Sequence, residues 1–166
     1  MNTFEKVIDQ TSIDTVATLA NEIWNQHFVS IIGQDQVDYM LDKLQSSNAI
    51  AKQLNDGYEH YIISNDHKNV GYLGLLSEDN LSRMMISKIY IKSEARRLGV
   101  GGSALKFLKE LSKERNIKTI WLTVNKHNKD TIEWYLRKSF VVVEEVKKDI
   151  GSGFFMDDYI MEMKND

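Results

Sequence analysis

Gly99, Gly101 and Gly102 crowd a short segment that also carries Arg96, Arg97 and Ser103. The segment follows an apolar run, Ile89-Tyr90-Ile91, and opens a stretch with Ala104, Leu105, Leu108 and Leu111 on one helical stripe. Strand, glycine loop and helix together make an anion site. N–H groups at a helix start have no intrahelical partner, and the helix dipole adds positive potential there. Glycine lets a phosphate approach that backbone without a Cβ in the way. Two arginines upstream add charge-assisted contacts. The composition is that of a pyrophosphate cradle.

Several readings compete for this loop. Gly99-x-Gly101-x-x-Ala104 matches the dinucleotide fingerprint in form. That fingerprint needs a tight turn, whereas here Lys92 to Leu98 intervene, and the next strand, TIWLTVN, ends without the acidic residue that would hold a ribose. A nucleotide-binding P-loop needs Gly-Lys-Ser/Thr, which is missing. A plain surface loop with glycines for turning is the remaining ordinary reading.

The elements that must position the loop follow from pattern. Ser12 or Asp14 is expected to cap a helix running to about His27, with Val16, Leu19, Ile23 and His27 on one stripe. A second helix is expected over 35–44 and a third, short one over 48–54, stopping at Asn55-Asp56-Gly57. Strands are expected over 58–64 and 70–76 around the turn NDHKN, and over 83–92, where Ser87, Ile89 and Ile91 alternate with Ile86, Lys88 and Tyr90. The glycine loop and a helix to about Arg115 follow. Then come strand 119–124, helix 128–138, and strands 141–150 and 154–163 around Gly151-Ser152-Gly153. Antiparallel hairpins thus surround one βαβ unit, and the fold class is α+β around a mixed sheet.

Composition bounds the rest. The chain has 166 residues, 42% of them hydrophobic, which fits one domain over 1–166 with a core of its own and excludes disorder. There are no cysteines, so disulfides, thiolate metal sites and a cysteine nucleophile are out. The net charge of −3 argues against a nucleic-acid footprint. No run is long and apolar enough to span a membrane, and MNTFEKVIDQ carries no apolar leader core. The expectation is a cytoplasmic protein without metal, nucleic-acid or membrane partners.

Arg96-Arg97-Leu98-Gly99-Val100-Gly101 fits Gln/Arg-x-x-Gly-x-Gly/Ala, and Asn128, Thr131, Tyr135, Ser139 and Phe140 follow the spacing Asn-x-x-Ala-x-x-x-Tyr-x-x-x-Gly-Phe. On these two motifs, joined by strand TIWLTV, the chain resembles the GCN5-related N-acetyltransferase (GNAT) family. Thr131 stands in place of the family's alanine and Ser139 in place of its glycine. SKIYIK and GFFMDDYIM are similar to bacterial polyamine (spermidine/spermine) acetyltransferase-type members.

The resemblance implies a mostly antiparallel twisted sheet of about seven strands, helices on both faces and a central acetyl-CoA site. It implies acetyl transfer from acetyl-CoA to a primary amine by direct attack, which needs no cysteine. Backbone groups of Ile89, Tyr90 and Ile91 would pair with the pantetheine arm. Amides from Arg96 to Ser103, those of Arg97, Leu98, Gly99, Val100, Gly101 and Gly102 included, would hold the pyrophosphate. Asn128 would contact the cofactor arm, and Tyr135 would protonate the departing thiolate. Tyrosine, with a pKa of about 10 against about 8.5 for a thiol, stays protonated at neutral pH and can donate to developing charge on sulfur.

Each residue has an ordinary reading too. Tyr135 shares a stripe with Ile132 and Leu136 and would pass for a packed tyrosine. Asn128 reads equally as an N-cap, Asn125 as a turn residue or a ligand, and Lys138 as a helix-terminal lysine or a phosphate contact. Leu98 and Val100 would act through backbone alone. Serine at 139 follows a helix end, where a left-handed turn is expected. The carboxylate that many members carry on the fourth strand is missing from Met84-Met85-Ile86-Ser87-Lys88, so the base is open among Glu22, His27, Asp157 and Asp158. Neighbours on a strand face opposite ways, so only one of the two aspartates can line a given pocket. Trp24, Phe28 and Tyr39 fall where the family covers its acceptor. Family habit makes a homodimer the expected assembly. A non-catalytic acyl-CoA sensor is the alternative, motivated by the missing carboxylate.

Overall fold

The computed structural model describes residues 1–165. The order is β1 (Asn2–Lys6), α1 (Gln10–His27), α2 (Val29–Ile32), α3 (Gln34–Leu44), α4 (Ser47–Asn55), β2 (Glu59–Asn65), β3 (Lys68–Glu78), β4 (Arg83–Ile91), α5 (Val100–Glu114), β5 (Thr119–Asn125), α6 (Lys129–Arg137), β6 (Val141–Gly151) and β7 (Phe154–Lys164). Seven strands form a sheet in the order β1-β2-β3-β4-β5-β7-β6. β4 and β5 run parallel, as the α5 crossover requires, and the pairs β1–β2, β2–β3, β5–β7 and β6–β7 are antiparallel. The α+β class stands. Among the described residues no helix is long and apolar enough to cross a membrane.

The chain folds as two compact units: Met1–Leu76 with Lys88–Lys109, and Ser77–Ser87 with the chain from Glu110 onward. In the first, α1 buries Ile13, Val16, Leu19, Ala20, Ile23 and Trp24; Val16, Leu19 and Ile23 of the expected stripe are among them, while His27 at its end is only half-buried. Asp9, rather than Ser12 or Asp14, caps it. The Asp9 carboxylate accepts from the Ser12 N–H at 2.9 Å, and the Ser12 hydroxyl accepts from the Asp9 N–H at 3.2 Å. The polar atoms under this helix are paired: Trp24 Nε1 donates to the Tyr72 hydroxyl at 3.0 Å, which donates to Gln45 Oε1 at 2.9 Å.

The strand β1 adds to the elements expected from pattern. Its five residues, NTFEK, carry one large apolar side chain, and it is held by pairing Thr3 with Ser64 and Phe4 with Ile63. Phe4 stacks on Phe107 at 4.6 Å between centroids. No local signal reports such a partner.

In the second unit, Met84 and Ile86 of β4 and Ile120 and Leu122 of β5 alternate inward, and all four are buried together with Met161 and Phe140. The parallel ladder runs from Arg83–Thr119 to Ile86–Leu122. Arg83 sits over the Trp121 ring at 4.7 Å, and the Trp121 indole donates to Glu78 at 3.2 Å.

Candidate functional site

The glycine loop sits between β4 and α5. Arg97 and Gly99 both have positive φ, 67° and 78°. Nothing lies within 4 Å of the place a Gly99 Cβ would take, so the loop is open at that point. The first bond back into α5 is from the Ser103 N–H to the Gly99 carbonyl at 3.0 Å. The N–H groups of Val100, Gly101 and Gly102 therefore precede the intrahelical ladder. Val100 is buried, which anchors the start of α5, while Arg96, Arg97, Leu98 and Gly99 are exposed. The Ser103 hydroxyl accepts from Asn2 Nδ2 at 2.9 Å, so its side chain is engaged with β1.

Arg96 is drawn back along the loop. Its Nε donates to the Ile91 carbonyl at 3.2 Å, and Nη1 lies 3.4 Å from His27 Nδ1. These contacts tie the end of β4 to the end of α1. Glu22 of α1 pairs with Lys92 at 3.0 Å. Two of the four candidates for the base, His27 and Glu22, are thus held by cations of the loop region.

Tyr90 joins an aromatic cluster with Trp24 at 5.3 Å, Phe28 at 5.9 Å and Tyr72 at 5.4 Å. Trp24 and Phe28 are buried, so both pack into the core of this unit. The backbone beside Tyr90 is closely packed. A Cβ on Gly71 of β3 would stand 2.3 Å from the Tyr90 carbonyl oxygen and 3.1 Å from Ile91 Cα. A glycine inside a strand is the sequence signal for such a close approach. It was not among the expected site residues.

Lys88 and His60 form a second feature absent from the expected site. Lys88 of β4 is buried, and its Nζ donates to the Leu44 carbonyl at the end of α3, 3.1 Å away. Burial pushes the Lys88 ammonium down to about 7. His60 is fully buried, and neither ring nitrogen has a hydrogen-bond partner among the described residues. Burial first, and the charge of Lys88 second, push it down to about 4, so it is neutral at pH 7.

The remaining candidates lie on β5, α6 and β7. Tyr135 is buried on α6 with its ring 5.1 Å from Trp134 and 5.2 Å from Phe140. Asn128 occupies the N-cap position but makes no side-chain capping bond, so its amide serves no cap. Asn125 does close a turn: its Oδ1 accepts from the His127 N–H at 2.9 Å. Lys138 lies 5.9 Å above the Trp134 ring. Ser139 has φ 74°, the left-handed turn expected there.

The two aspartates of β7 have different surroundings. Asp157 pairs with Lys126 at 3.1 Å, and Lys126 also reaches Glu145 at 3.3 Å. Asp158 is 7% exposed, directly across the ladder from Asn125, the last residue of β5. Burial and the neighbouring Asp157 charge push its carboxyl up to about 6, against a hydrogen bond from Thr123 and the charge of Lys126. On β4, Ser87 carries a buried hydroxyl with no partner among the described residues, one place beyond the last β4–β5 pair.

A model of the acetyltransferase (GNAT) family matches residues 17–140. The chain is similar to the PaiA N-acetyltransferase of Thermoplasma acidophilum, solved in complex with coenzyme A. The two are 18% identical, 98% of this chain and 99% of that one are covered, and the TM-score is 0.76. A GCN5-related N-acetyltransferase from Rhodopseudomonas palustris superposes with a TM-score of 0.82 at 14% identity, over 99% of this chain and 96% of that one. The Escherichia coli ribosomal-protein-S18-alanine N-acetyltransferase gives a TM-score of 0.72 at 17% identity, over 99% and 94%. At such identities the likeness is one of fold.

Proposed function

The chain belongs to the GNAT acetyltransferase family, and from that premise we propose that it transfers acetyl from acetyl-CoA to a primary amine by direct attack in a ternary complex. The observation that carries the reading is the start of α5. Gly99 is left-handed with open space at its Cβ position, and the free amides of Val100, Gly101 and Gly102 follow it. These amides, with Arg96 and Arg97 beside them, suit the pyrophosphate of coenzyme A. The backbone of Ile89, Tyr90 and Ile91 would take the pantetheine arm as an added strand, and the Asn128 amide, which caps no helix, would contact it. Asn125 closes its turn, Lys138 lies over an indole and the Ser103 side chain is engaged, so these three are weaker contacts.

The chemistry needs an acid and a base. The acceptor ammonium first gives up one proton to solvent; the neutral nitrogen then attacks the thioester carbonyl carbon, a C–N bond forms, and the C–S bond breaks. Tyr135 donates its phenolic proton to the leaving sulfur. Asp158 accepts the proton from nitrogen once bonding has made that nitrogen acidic. Its environment supports the role: a carboxyl near 6 is mostly ionised at pH 7, yet more basic than an ordinary aspartate. Asp157 is neutralised by Lys126 and Glu22 by Lys92. A buried carboxylate also favours a cationic acceptor, a small alkylamine or polyamine. Tyr135→Phe tests the acid: turnover should fall roughly 10²- to 10⁴-fold with CoA affinity kept. Unchanged turnover would remove Tyr135 from the mechanism.

A further inference from the structure

Asn2 and Phe4 are two residues apart on β1 and so share a face; Ser103 and Phe107 are four apart on α5 and share a face of the helix. Two strand residues span about 6.6 Å and four helical residues about 6 Å, so the two pairs match in spacing. The first unit docks them on each other. Phe4 stacks on Phe107 with centroids 4.6 Å apart, and Asn2 Nδ2 donates to Ser103 Oγ at 2.9 Å. Across the β1–β2 ladder Asn2 faces Asn65, whose Nδ2 donates to Asn2 Oδ1 at 2.7 Å. The bonds run one way, from Asn65 through Asn2 to Ser103.

That direction decides what Ser103 can offer. With the Asn2 oxygen taken by Asn65, its nitrogen is what it presents to Ser103. The bond occupies a lone pair of the Ser103 oxygen and leaves its own O–H without an acceptor among the described residues. A helical serine ordinarily turns that proton onto the carbonyl four residues back. Here the Gly99 carbonyl receives the Ser103 backbone N–H instead, and no hydroxyl bond. The Cβ of a helical residue leans towards the helix start, and the turn before Ser103 carries the free amides of Val100, Gly101 and Gly102. Turning both asparagine amides over would reverse the chain. The Ser103 proton would then go to Asn2 Oδ1, and the hydroxyl would be closed to any ligand.

We propose that Asn2 is a positioning residue for the anion site of α5: backed by Asn65, it holds the Ser103 hydroxyl with its proton available to a phosphate of coenzyme A, beside the free amides. A hydroxyl that accepts one hydrogen bond is also a stronger donor of the next. The proposal rests on the coenzyme A reading above, and it gives β1, a strand with no signal of its own, a part in the site.

The test is a double-mutant cycle on the coenzyme A dissociation constant, measured by calorimetric titration of the full chain. Ser103→Ala removes the donor. Asn65→Asp has no N–H to give, so the Asn2 nitrogen turns to it and the Asn2 oxygen captures the Ser103 proton. Each variant should raise the dissociation constant about tenfold. Asn65→Asp added to Ser103→Ala should raise it further by less than about twofold, because the captured proton is already gone. The charge that Asn65→Asp brings acts in both backgrounds, so the cycle separates it from the relay. An equal penalty for Asn65→Asp with and without the Ser103 hydroxyl overturns the proposal, and so does a Ser103→Ala variant that binds as the parent does. A bond that served the fold alone would lower the melting temperature of the ligand-free protein and leave the affinity in place, which overturns it as well. Gly99→Ala marks the cradle independently. A parent that binds no coenzyme A, or binds it regardless of Gly99, overturns the cradle reading and this proposal together. Binding that depends on Gly99 but not on Ser103 overturns this proposal alone.

Discussion

A methyl group on Gly71 would stand 2.3 Å from the carbonyl oxygen of Tyr90. The obstacle is backbone, which cannot rotate away as a side chain can. Gly71→Ala should therefore displace β4 at Tyr90, and overpacking of this kind costs about 1–3 kcal/mol. Because Tyr90 lies in the stretch proposed to take the pantetheine arm, CoA affinity should fall along with the melting temperature. Calorimetric titration and thermal unfolding of one preparation check both. An alanine variant as stable as the parent would mean the strands are not this close.

Gly99→Ala separates space from stability. Nothing lies within 4 Å of the new methyl, but φ is 78°, and a left-handed alanine costs about 1–2 kcal/mol. The methyl would occupy the space assigned to phosphate. The CoA dissociation constant should rise at least about tenfold, more than the loss in stability would suggest. Unchanged affinity would contradict the cradle.

The sequence is legible where its signals are local. The α1 stripe, the glycine loop, the alternation in β4 and the left-handed residue at Ser139 all follow from spacing or turn chemistry. It is less legible where the determinant is a distant partner. β1 exists because β2 pairs with it, and only burial and ion pairs separate the candidates for the base. Asn128 has the residue type of a cap, yet its side chain makes no capping bond. The cap of α1 lies outside the periodic stripe, so the stripe points to Ser12 when the cap is Asp9.

Asp158→Asn should abolish most turnover, by roughly 10²- to 10⁴-fold, and remove an acidic limb near pH 6 from the rate profile. Stability should change in the opposite sense. The folded carboxyl titrates above its unfolded value, so its contribution is complete at low pH and is lost as pH rises from about 3.8 through about 6. His60 acts against this: held down to about 4, it destabilises the fold as pH drops from about 6.5. Both groups titrate over the same range in the parent, so the comparison must be variant against parent. The asparagine variant should gain relative stability between pH 4 and pH 6 and hold that gain at pH 7. A constant difference in melting temperature across this range would refute the shifted carboxyl.

Ser139 has φ 74° at the end of α6. Glycine removes the strain of a Cβ there, a gain of about 1 kcal/mol or less. Ser139→Gly should raise the melting temperature by up to about 2–4 °C. A clear fall would show that the hydroxyl makes a contact worth more than the strain.

The central claim is best tested by thiol release from acetyl-CoA with a panel of amines: spermidine, spermine, aminosugars, amino acids and a lysine peptide. CoA binding should be measured calorimetrically beside it. The account predicts CoA binding, turnover with at least one small cationic amine, and loss of that turnover in Asp158→Asn. Tight CoA binding with no turnover on any amine would contradict the enzyme and favour an acyl-CoA sensor, and absence of CoA binding would contradict the glycine loop itself.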